Sequence, residues 1–241
     1  ELAAGELLDL PGSAGNMTLA QISYSYDAMD RLISRDRRFF DTLTGIDIGT
    51  GHAISRTVFS ANSQVLTNFD ANANATTTSY DSANRRGLVT DAKGNTVSYS
   101  YDGNNNVTAE TQAERSDLGS PNQLFTTRYV YDALDRLISV RDNQTNTVQY
   151  AYDSRNNRTR VTDPSGSQTR YSYDGLSRLI QTSRDLNGNG VFTDPQDITT
   201  TEVWDDSSRV TVRSDGKGNT TRYAYDALNR QIAMQMADGT V

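Results

Sequence analysis

The chain of 241 residues contains no cysteine, four prolines, one tryptophan and a single histidine. Without cysteine there are no disulfides, no thiolate metal sites and no Cys nucleophile, and the redox compartment stays unread. Positive charge is in deficit, with 23 Lys and Arg against 30 Asp and Glu and a formal net charge of −7. A protein that neutralises phosphates needs a basic face, so nucleic acid is excluded as an expected partner. Apolar residues make up 35%, below an ordinary compact domain, and a thick core is not expected. No apolar run approaches the roughly 20 residues that cross a bilayer, so no membrane span is expected. The opening ELAAGELLDLPG lacks the basic region and apolar block of a signal peptide. It also lacks an initiator Met, which points to a processed chain or a segment of something longer. Length accommodates one large all-β domain or two ordinary ones.

What the chain does have is thirteen tyrosines, all within one recurring phrase or a relic of it, of which RYVYDALDRLIS (residues 128–139) is an example. Alignment on the residue after the second aromatic gives anchors at Asp27, Ser60, Asp81, Asp102, Asp132, Asp153, Asp174, Asp205 and Asp226, with Phe59 and Trp204 standing in for tyrosine in two copies. The steps between them are 33, 21, 21, 30, 21, 21, 31 and 21 residues, a basic period of 21 with insertions near 37–52, 110–123 and 186–198. Spacing of this kind marks a repeat array, here with a superrepeat of three units, and its insertions are expected to emerge as equivalent loops on one side. Residues 1–19 read as a lead-in or partial repeat, and 20–241 as a single repeat domain.

Three residues past each anchor stands Asp30, Ser63, Asn84, Asn105, Asp135, Asn156, Ser177, Ser208 or Asn229. Short polar side chains, Asn and Asp above all, tolerate a left-handed backbone and close a hairpin turn that an Asp initiates. A second turn begins ten residues past the anchor at Asp70, Asp91, Asp142, Asp163 and Asp215, followed in three cases by Gly94, Gly166 or Gly218. Between the turns lie short segments rich in Thr, Val, Ile and Tyr, such as RLISVR and TVQYAY, which are strands by propensity and length. The expected fold class is therefore all-β, an antiparallel β-hairpin repeat array. Helix is expected to be scarce, residues 3 to 9 being the exception left open.

Tyrosines two apart on a strand share a face. Tyr24 and Tyr26, Tyr99 and Tyr101, Tyr129 and Tyr131, Tyr150 and Tyr152, Tyr171 and Tyr173, and Tyr223 and Tyr225 are expected to form a ladder up neighbouring hairpins, each ring burying area while its hydroxyl keeps a polar contact. Arg31, Arg85, Arg136, Arg178, Arg209 and Arg230, just beyond the turn, are placed to pair with the anchor Asp or stack on a ring; Asn106 and Asn157 replace them in two units. A sugar-binding stripe is the functional alternative, but binding sites occupy a few places and these rings occupy nearly every unit.

The phrases YVYDALDRLISVRD, YAYDALNRQI and VTDAKGNTVSYSYD resemble the YD repeats of the Rhs family, which also occur in bacterial wall-associated proteins, insecticidal toxin complexes and teneurins. The resemblance runs from about residue 20 to 238. It implies strands wound into a spiral that forms a hollow shell, in relatives often around a polymorphic toxin carried at the C-terminus. Relatives that release cargo have an aspartyl autoproteolysis region after the repeats, which the final MADGTV does not supply. Nine hairpins are few for a large shell, so a slice of wall or a narrower tube is implied.

The sharpest local motif is DLNGNGVFTDPQD in the third insertion. Asp185, Asn187 and Asn189 match positions 1, 3 and 5 of a calcium loop, Gly190 the bend, and Val191 the carbonyl ligand. Gln196 stands where a bidentate Glu belongs, with Asp194 and Asp197 beside it, so calcium competes with a plain Asn/Gly turn. No cofactor is required. His52 lacks partners for a triad or a zinc site, GTG beside it is a weak glycine signal, and the many carboxylates sit at turn positions that hairpins need anyway. Six Asn-x-Ser/Thr sequons (Asn16, Asn74, Asn106, Asn143, Asn157, Asn219) identify no glycosylation site. The expectation is an extracellular or cell-surface structural protein, not an enzyme, forming a shell, tube or filament wall that encloses or presents cargo. Its expected partners are further YD repeats of the same or a neighbouring chain, a homo-oligomer or filament, and a C-terminal toxin; an adhesin for surface carbohydrate is the alternative.

Overall fold

The computed structural model describes residues 20–116 and 122–236. The proposed lead-in, the open helix at 3 to 9, Asn16 and part of the second insertion lie outside the described residues. Within them the protein is all β, eighteen antiparallel strands joined by turns and loops without a helix. The chain divides into two units, one running to Ser100 with Glu110–Phe125, the other Tyr101–Ala109 with the residues from Thr126 onward.

The first unit is built on β1 (Gln21–Tyr26), β2 (Leu32–Phe40), β3 (Asp47–Phe59), β4 (Val65–Phe69), β5 (Ala75–Tyr80), β6 (Arg86–Thr90) and β7 (Thr96–Tyr101), each antiparallel to its predecessor. β8 (Val107–Glu114) and β9 (Gln123–Tyr131) have residues in both units. The second continues through β10 (Leu137–Arg141), β11 (Thr147–Tyr152), β12 (Arg158–Thr162), β13 (Gln168–Tyr173), β14 (Leu179–Asp185), β15 (Ile198–Trp204), β16 (Val210–Ser214), β17 (Thr220–Tyr225) and β18 (Gln231–Gln235). From β9 to β18 each strand again pairs with the next.

Every aromatic-Asp phrase ends a strand and opens a turn. In all nine units the residue three past the anchor is left-handed, with φ between 57° at Asp30 and 71° at Asn105. The second turns repeat that construction: Gly94, Gly166 and Gly218 have φ of 85°, 93° and 84°, while Ala73 and Thr145 adopt 63° and 72° in the other two. The two kinds of turn differ in the strands they join. Beyond the first kind the register slips by one residue, as between Ser25/Tyr26, Ala151/Tyr152 and Ala224/Tyr225. Such a bulge adds local twist, and sequence periodicity does not reveal it.

No apolar side chain is fully buried among the described residues; only Ser183 and Asp185 are buried polar ones. Strands alternate half-buried and exposed positions, as in β4 and β17. This is the pattern of a single layer whose two faces both meet solvent, and it agrees with the low apolar content.

The first insertion is not a loop. β2 and β3 run on through it as a longer hairpin, closed at Asp41, whose carbonyl accepts the Gly45 N–H at 2.8 Å and whose Oδ1 accepts the Leu43 and Thr44 N–H groups. Gly51, at φ 73°, admits the Asp47 side chain, which an added Cβ would meet at 2.6 Å. The second insertion likewise lengthens β8 and β9, whereas the third leaves regular structure between Asp185 and Ile198.

Candidate functional site

The repeating element is a five-residue turn. In its first copy Asp27 N–H donates to the Arg31 carbonyl at 3.0 Å and Asp30 N–H to the Asp27 carbonyl at 3.1 Å. Asp27 Oδ1 accepts the Met29 and Arg31 N–H groups, and Oδ2 accepts Arg31 Nε at 2.7 Å. The same Nε to Oδ2 bond, also 2.7 Å, joins Arg85 to Asp81, Arg136 to Asp132, Arg178 to Asp174, Arg209 to Asp205 and Arg230 to Asp226. Where Asn stands instead, Asn106 and Asn157 donate Nδ2 to Asp102 and Asp153. Four of the second turns use the Asn version, at Asn74, Asn95, Asn146 and Asn219.

These contacts hold the turn carboxyls below the usual Asp range. The arginine side chain is the chief cause at Asp27, Asp132 and Asp205, and the asparagine amide at Asp70, Asp91, Asp142, Asp153 and Asp215. At Asp81 and Asp226 the backbone N–H of Arg85 or Arg230 leads. A carboxylate accepting several donors is easier to ionise.

The arginines also reach forward into the next hairpin. Nη1 of Arg31, Arg136, Arg178 and Arg209 donates to the carbonyls of Ser60, Asp153, Asp205 and Asp226 at 2.9, 2.9, 2.7 and 3.2 Å. The same nitrogens contact the left-handed residues Ser63, Asn156, Ser208 and Asn229. The guanidinium planes lie over the next unit's second aromatic: Arg31 over Phe59 and Arg136 over Tyr152 at 4.8 Å, Arg209 over Tyr225 at 5.1 Å, Arg178 over Trp204 at 5.7 Å. The Asn units keep the direction, Asn106 Nδ2 reaching Asp135 at 2.7 Å and Asn157 Nδ2 reaching Ser177 at 3.1 Å.

The second aromatics reach back. Tyr80, Tyr152, Tyr173 and Tyr225 donate their hydroxyls to the carbonyls of Val65, Leu137, Arg158 and Val210 at 2.9–3.0 Å, and Trp204 Nε1 donates to Leu179 at 2.8 Å. Each acceptor lies five residues past the previous anchor. The hairpins of Asp132 and Asp153, of Asp174 and Asp205, and of Asp205 and Asp226 are thus latched twice, by a cation going forward and a ring going back. Among the first tyrosines, Arg158 stands between Tyr150 and Tyr171, at 5.9 and 5.3 Å. Neighbouring rings are brought together there with a guanidinium between them, an order that the sequence does not announce.

The loop from Asp185 to Asp197 is closed by its own polar groups. Asp185, 1% exposed, accepts the Gly188 and Gly190 N–H groups, one on each oxygen, at 2.7 Å. Asp197 accepts the N–H groups of Leu186 and Asp194. Asn187 and Asn189 accept the N–H groups two residues on through Oδ1, and both aim Nδ2 at Asp194 Oδ2, at 2.8 and 2.6 Å. Turning either amide over would set oxygen against carboxylate and NH2 against N–H, so the network fixes their orientation. Donors, not oxygens, therefore converge at the loop centre. No group of three or more His, Cys, Asp or Glu side chains is arranged for a metal among the described residues. Gln168 Oε1, on the strand position paired with Asp185, is a buried acceptor without a donor, but a single amide oxygen does not complete a cation site. In this arrangement the loop does not fit calcium. The loop instead folds over its neighbours, with Phe192 under Arg170 at 4.0 Å and Gly188 against the backbone of Gly166.

His52 Nδ1 lies 2.9 Å from Asp36 on the lengthened hairpin. One hollow of about 320 Å³ lies beside Phe69 and Asp70, and another of about 440 Å³ beside Arg160 and Tyr171. Neither brings two carboxylates together, so neither has the pair that acid and base catalysis of glycoside hydrolysis requires.

Comparison with known proteins follows the same lines. The model of the RHS Repeat family matches residues 88–117, 131–168, 152–189 and 204–241, more than half of the chain. Among solved structures, TcdB2-TccC3 without its hypervariable C-terminal region is similar over 86% of this chain and 12% of that chain, with a TM-score of 0.60 and 17% identity. The Photorhabdus luminescens Tc holotoxin pore, in a TccC3 mutant form, is similar over 88% of this chain and 12% of that one, with a TM-score of 0.62 and 18% identity. The chain thus spans about an eighth of the length of these neighbours. No curated protein matches it in sequence. With its turns, its latches and the matched segments in agreement, the chain belongs to the RHS Repeat family.

Proposed function

We propose that this chain is structural: a stretch of thin wall, built of latched hairpins, that helps to enclose or present cargo outside the cell as part of a larger Rhs-type toxin assembly. The observation that carries the reading is the double latch between hairpins combined with the lack of any buried apolar side chain among the described residues. A layer with water on both faces needs cohesion along the array, and polar latches with half-buried rings supply it where a deep core does not. The fold shared with TcdB2-TccC3 and with the Tc holotoxin supports a wall role and, by analogy, partnership with other toxin-complex chains. The turn carboxylates serve their own hairpins, which favours a structural over a catalytic role. No helix is long and apolar enough to cross a membrane among the described residues, and the reading requires no cofactor.

Electron microscopy of the purified chain tests this directly. Thin curved sheets, tubes or partial shells are expected, and solid compact particles would overturn the reading.

A carbohydrate-binding surface is the second reading, favoured by Tyr24 and Tyr26, 50% and 59% exposed, while the other described tyrosines are half-buried. Binding on a glycan array that is lost in Tyr24→Ala would establish it.

A further inference from the structure

Arg160 of β12 and Arg170 of β13 are paired directly across the sheet, and both are exposed. Cross-strand neighbours stand about 5 Å apart at Cβ, and like charges placed so repel each other. Elsewhere the chain avoids this: on β15 and β16, Glu202 opposes Arg213 and meets its Nη2 at 2.7 Å. Neither the Arg160 nor the Arg170 guanidinium has a carboxylate or other hydrogen-bond acceptor among the described residues.

The face on which they lie offers none. Pairing carries that face from Gln149 and Ala151 of β11 through the two arginines to Ser183 and Asp185 of β14. Among the residues of β9 to β14 the one carboxylate is Asp185, which is buried, with its oxygens taken by the Gly188 and Gly190 N–H groups. The two arginines instead rim the hollow of about 440 Å³, which Ala151, opposite Arg160, and the side chains of Thr159 and Ser172 also line. Neither of those hydroxyls has a partner among the described residues. Arg170 is held in place from the third insertion, whose Phe192 ring centre lies 4.0 Å from the guanidinium carbon. Stacking occupies the face of a guanidinium and leaves the N–H groups at its edge for acceptors in its plane.

We propose that Arg160 and Arg170 together bind an oxyanion, a phosphate or sulfate group, in this hollow, with the Thr159 and Ser172 hydroxyls as further donors. A tetrahedral anion presents enough oxygens for two guanidinium forks, and its charge offsets the repulsion across the strands. The hollow has the volume of a small-molecule site, so the group is either a free ion or the anionic end of a small monoester. Phe192 is the positioning residue, which gives the third insertion a part in binding. The site stands apart from the wall reading and does not rest on it.

Isothermal titration calorimetry of the full chain at constant ionic strength tests it, with inorganic sulfate, inorganic phosphate, glucose 6-phosphate and, as the uncharged control, glucose. Saturable binding of at least one anion, and none of glucose, is expected. Arg160→Gln and Arg170→Gln should each weaken that binding about tenfold or more. Arg128→Gln should leave it unchanged: Arg128 opposes Arg141 on the same face, but Arg141 has the Asp142 carboxylate beside it. Phe192→Leu, which loses the ring, should weaken binding, and Phe192→Tyr should retain it. Circular dichroism establishes that each variant keeps its strands. Inorganic phosphate bound as tightly as the ester assigns the site to the free ion, whereas a tighter ester places its organic part in the hollow. No saturable binding of any of the three anions, affinity untouched by Arg160→Gln or by Phe192→Leu, or an equal loss in Arg128→Gln overturns the proposal. Such failures leave the wall reading intact, since that reading is decided by imaging.

Discussion

Arg136 and Tyr152 belong to consecutive hairpins, and the guanidinium carbon of the first lies 4.8 Å from the ring centre of the second. Arg136 also donates to the Asp153 carbonyl, and the Tyr152 hydroxyl returns a bond to the Leu137 carbonyl. Two residues sixteen apart thereby tie two hairpins from both sides. Tyr152→Phe removes the returning bond alone and is expected to cost about 0.5–1.5 kcal/mol in urea unfolding. A double-mutant cycle of Arg136→Ala and Tyr152→Leu should show a coupling of about 0.5–1 kcal/mol for the cation over the ring. Additive effects would mean that the latch is geometric only.

Acid should loosen the array by protonating the turn carboxylates. Their folded values lie below those of an ordinary Asp, so the stabilisation they bring is complete above about pH 4 and is lost as pH falls through the depressed values. The melting temperature should therefore be flat from neutrality to about pH 5 and decline below about pH 4. Asp132→Asn should make that decline shallower while lowering stability at neutral pH.

Thr145 holds a φ of 72° where three sister turns place glycine. A β-branched residue is poorly suited to that region. Thr145→Asn is expected to stabilise the protein by about 1 kcal/mol in chemical denaturation. An unchanged or lower midpoint would show that Thr145 bears no strain.

Gly216 tolerates no side chain, since an added Cβ would collide with Ile198 Cγ2. Gly216→Ala should destabilise by about 1–3 kcal/mol, and Ile198→Ala in the same chain should recover part of the loss. Thermal melts of the three variants decide the matter.

The loop at 185–197 is expected to keep the same melting temperature in calcium and in chelator, because its own donors occupy the oxygens that would serve as ligands. Asp185→Ala, which orphans the N–H groups of Gly188 and Gly190, should cost about 1–3 kcal/mol in either medium. A rise in melting temperature on adding calcium that Asp185→Ala abolishes would show instead a metal site.

Some of this was open to reading because it is local. The turn from Asp27 to Arg31 spans five residues, and an Asp that accepts nearby N–H groups, a short left-handed residue and an arginine within reach impose their geometry whatever the rest of the chain does. Propensity and length in stretches such as TVQYAY set the strands, and the spacing of the anchors set the order of the hairpins. The first insertion was harder, since Gly45, Gly49 and Gly51 have the look of a loop. There Phe40 pairs with Asp47 and Arg38 with His52, and the ladder runs through.

The amino-acid order thus specified the repeat, the turns and the antiparallel hairpins, since each is decided between residues a few positions apart. Folding in three dimensions settled what the side chains do between units: that Arg31 reaches 29 residues ahead to Ser60, that Tyr152 reaches 15 back to Leu137, and that the amides of Asn187 and Asn189 close on Asp194. These contacts depend on register and on the one-residue bulge beside aromatic turns such as those at Ser60 and Asp153, and a shift of one position would carry those latches to the opposite face of the sheet.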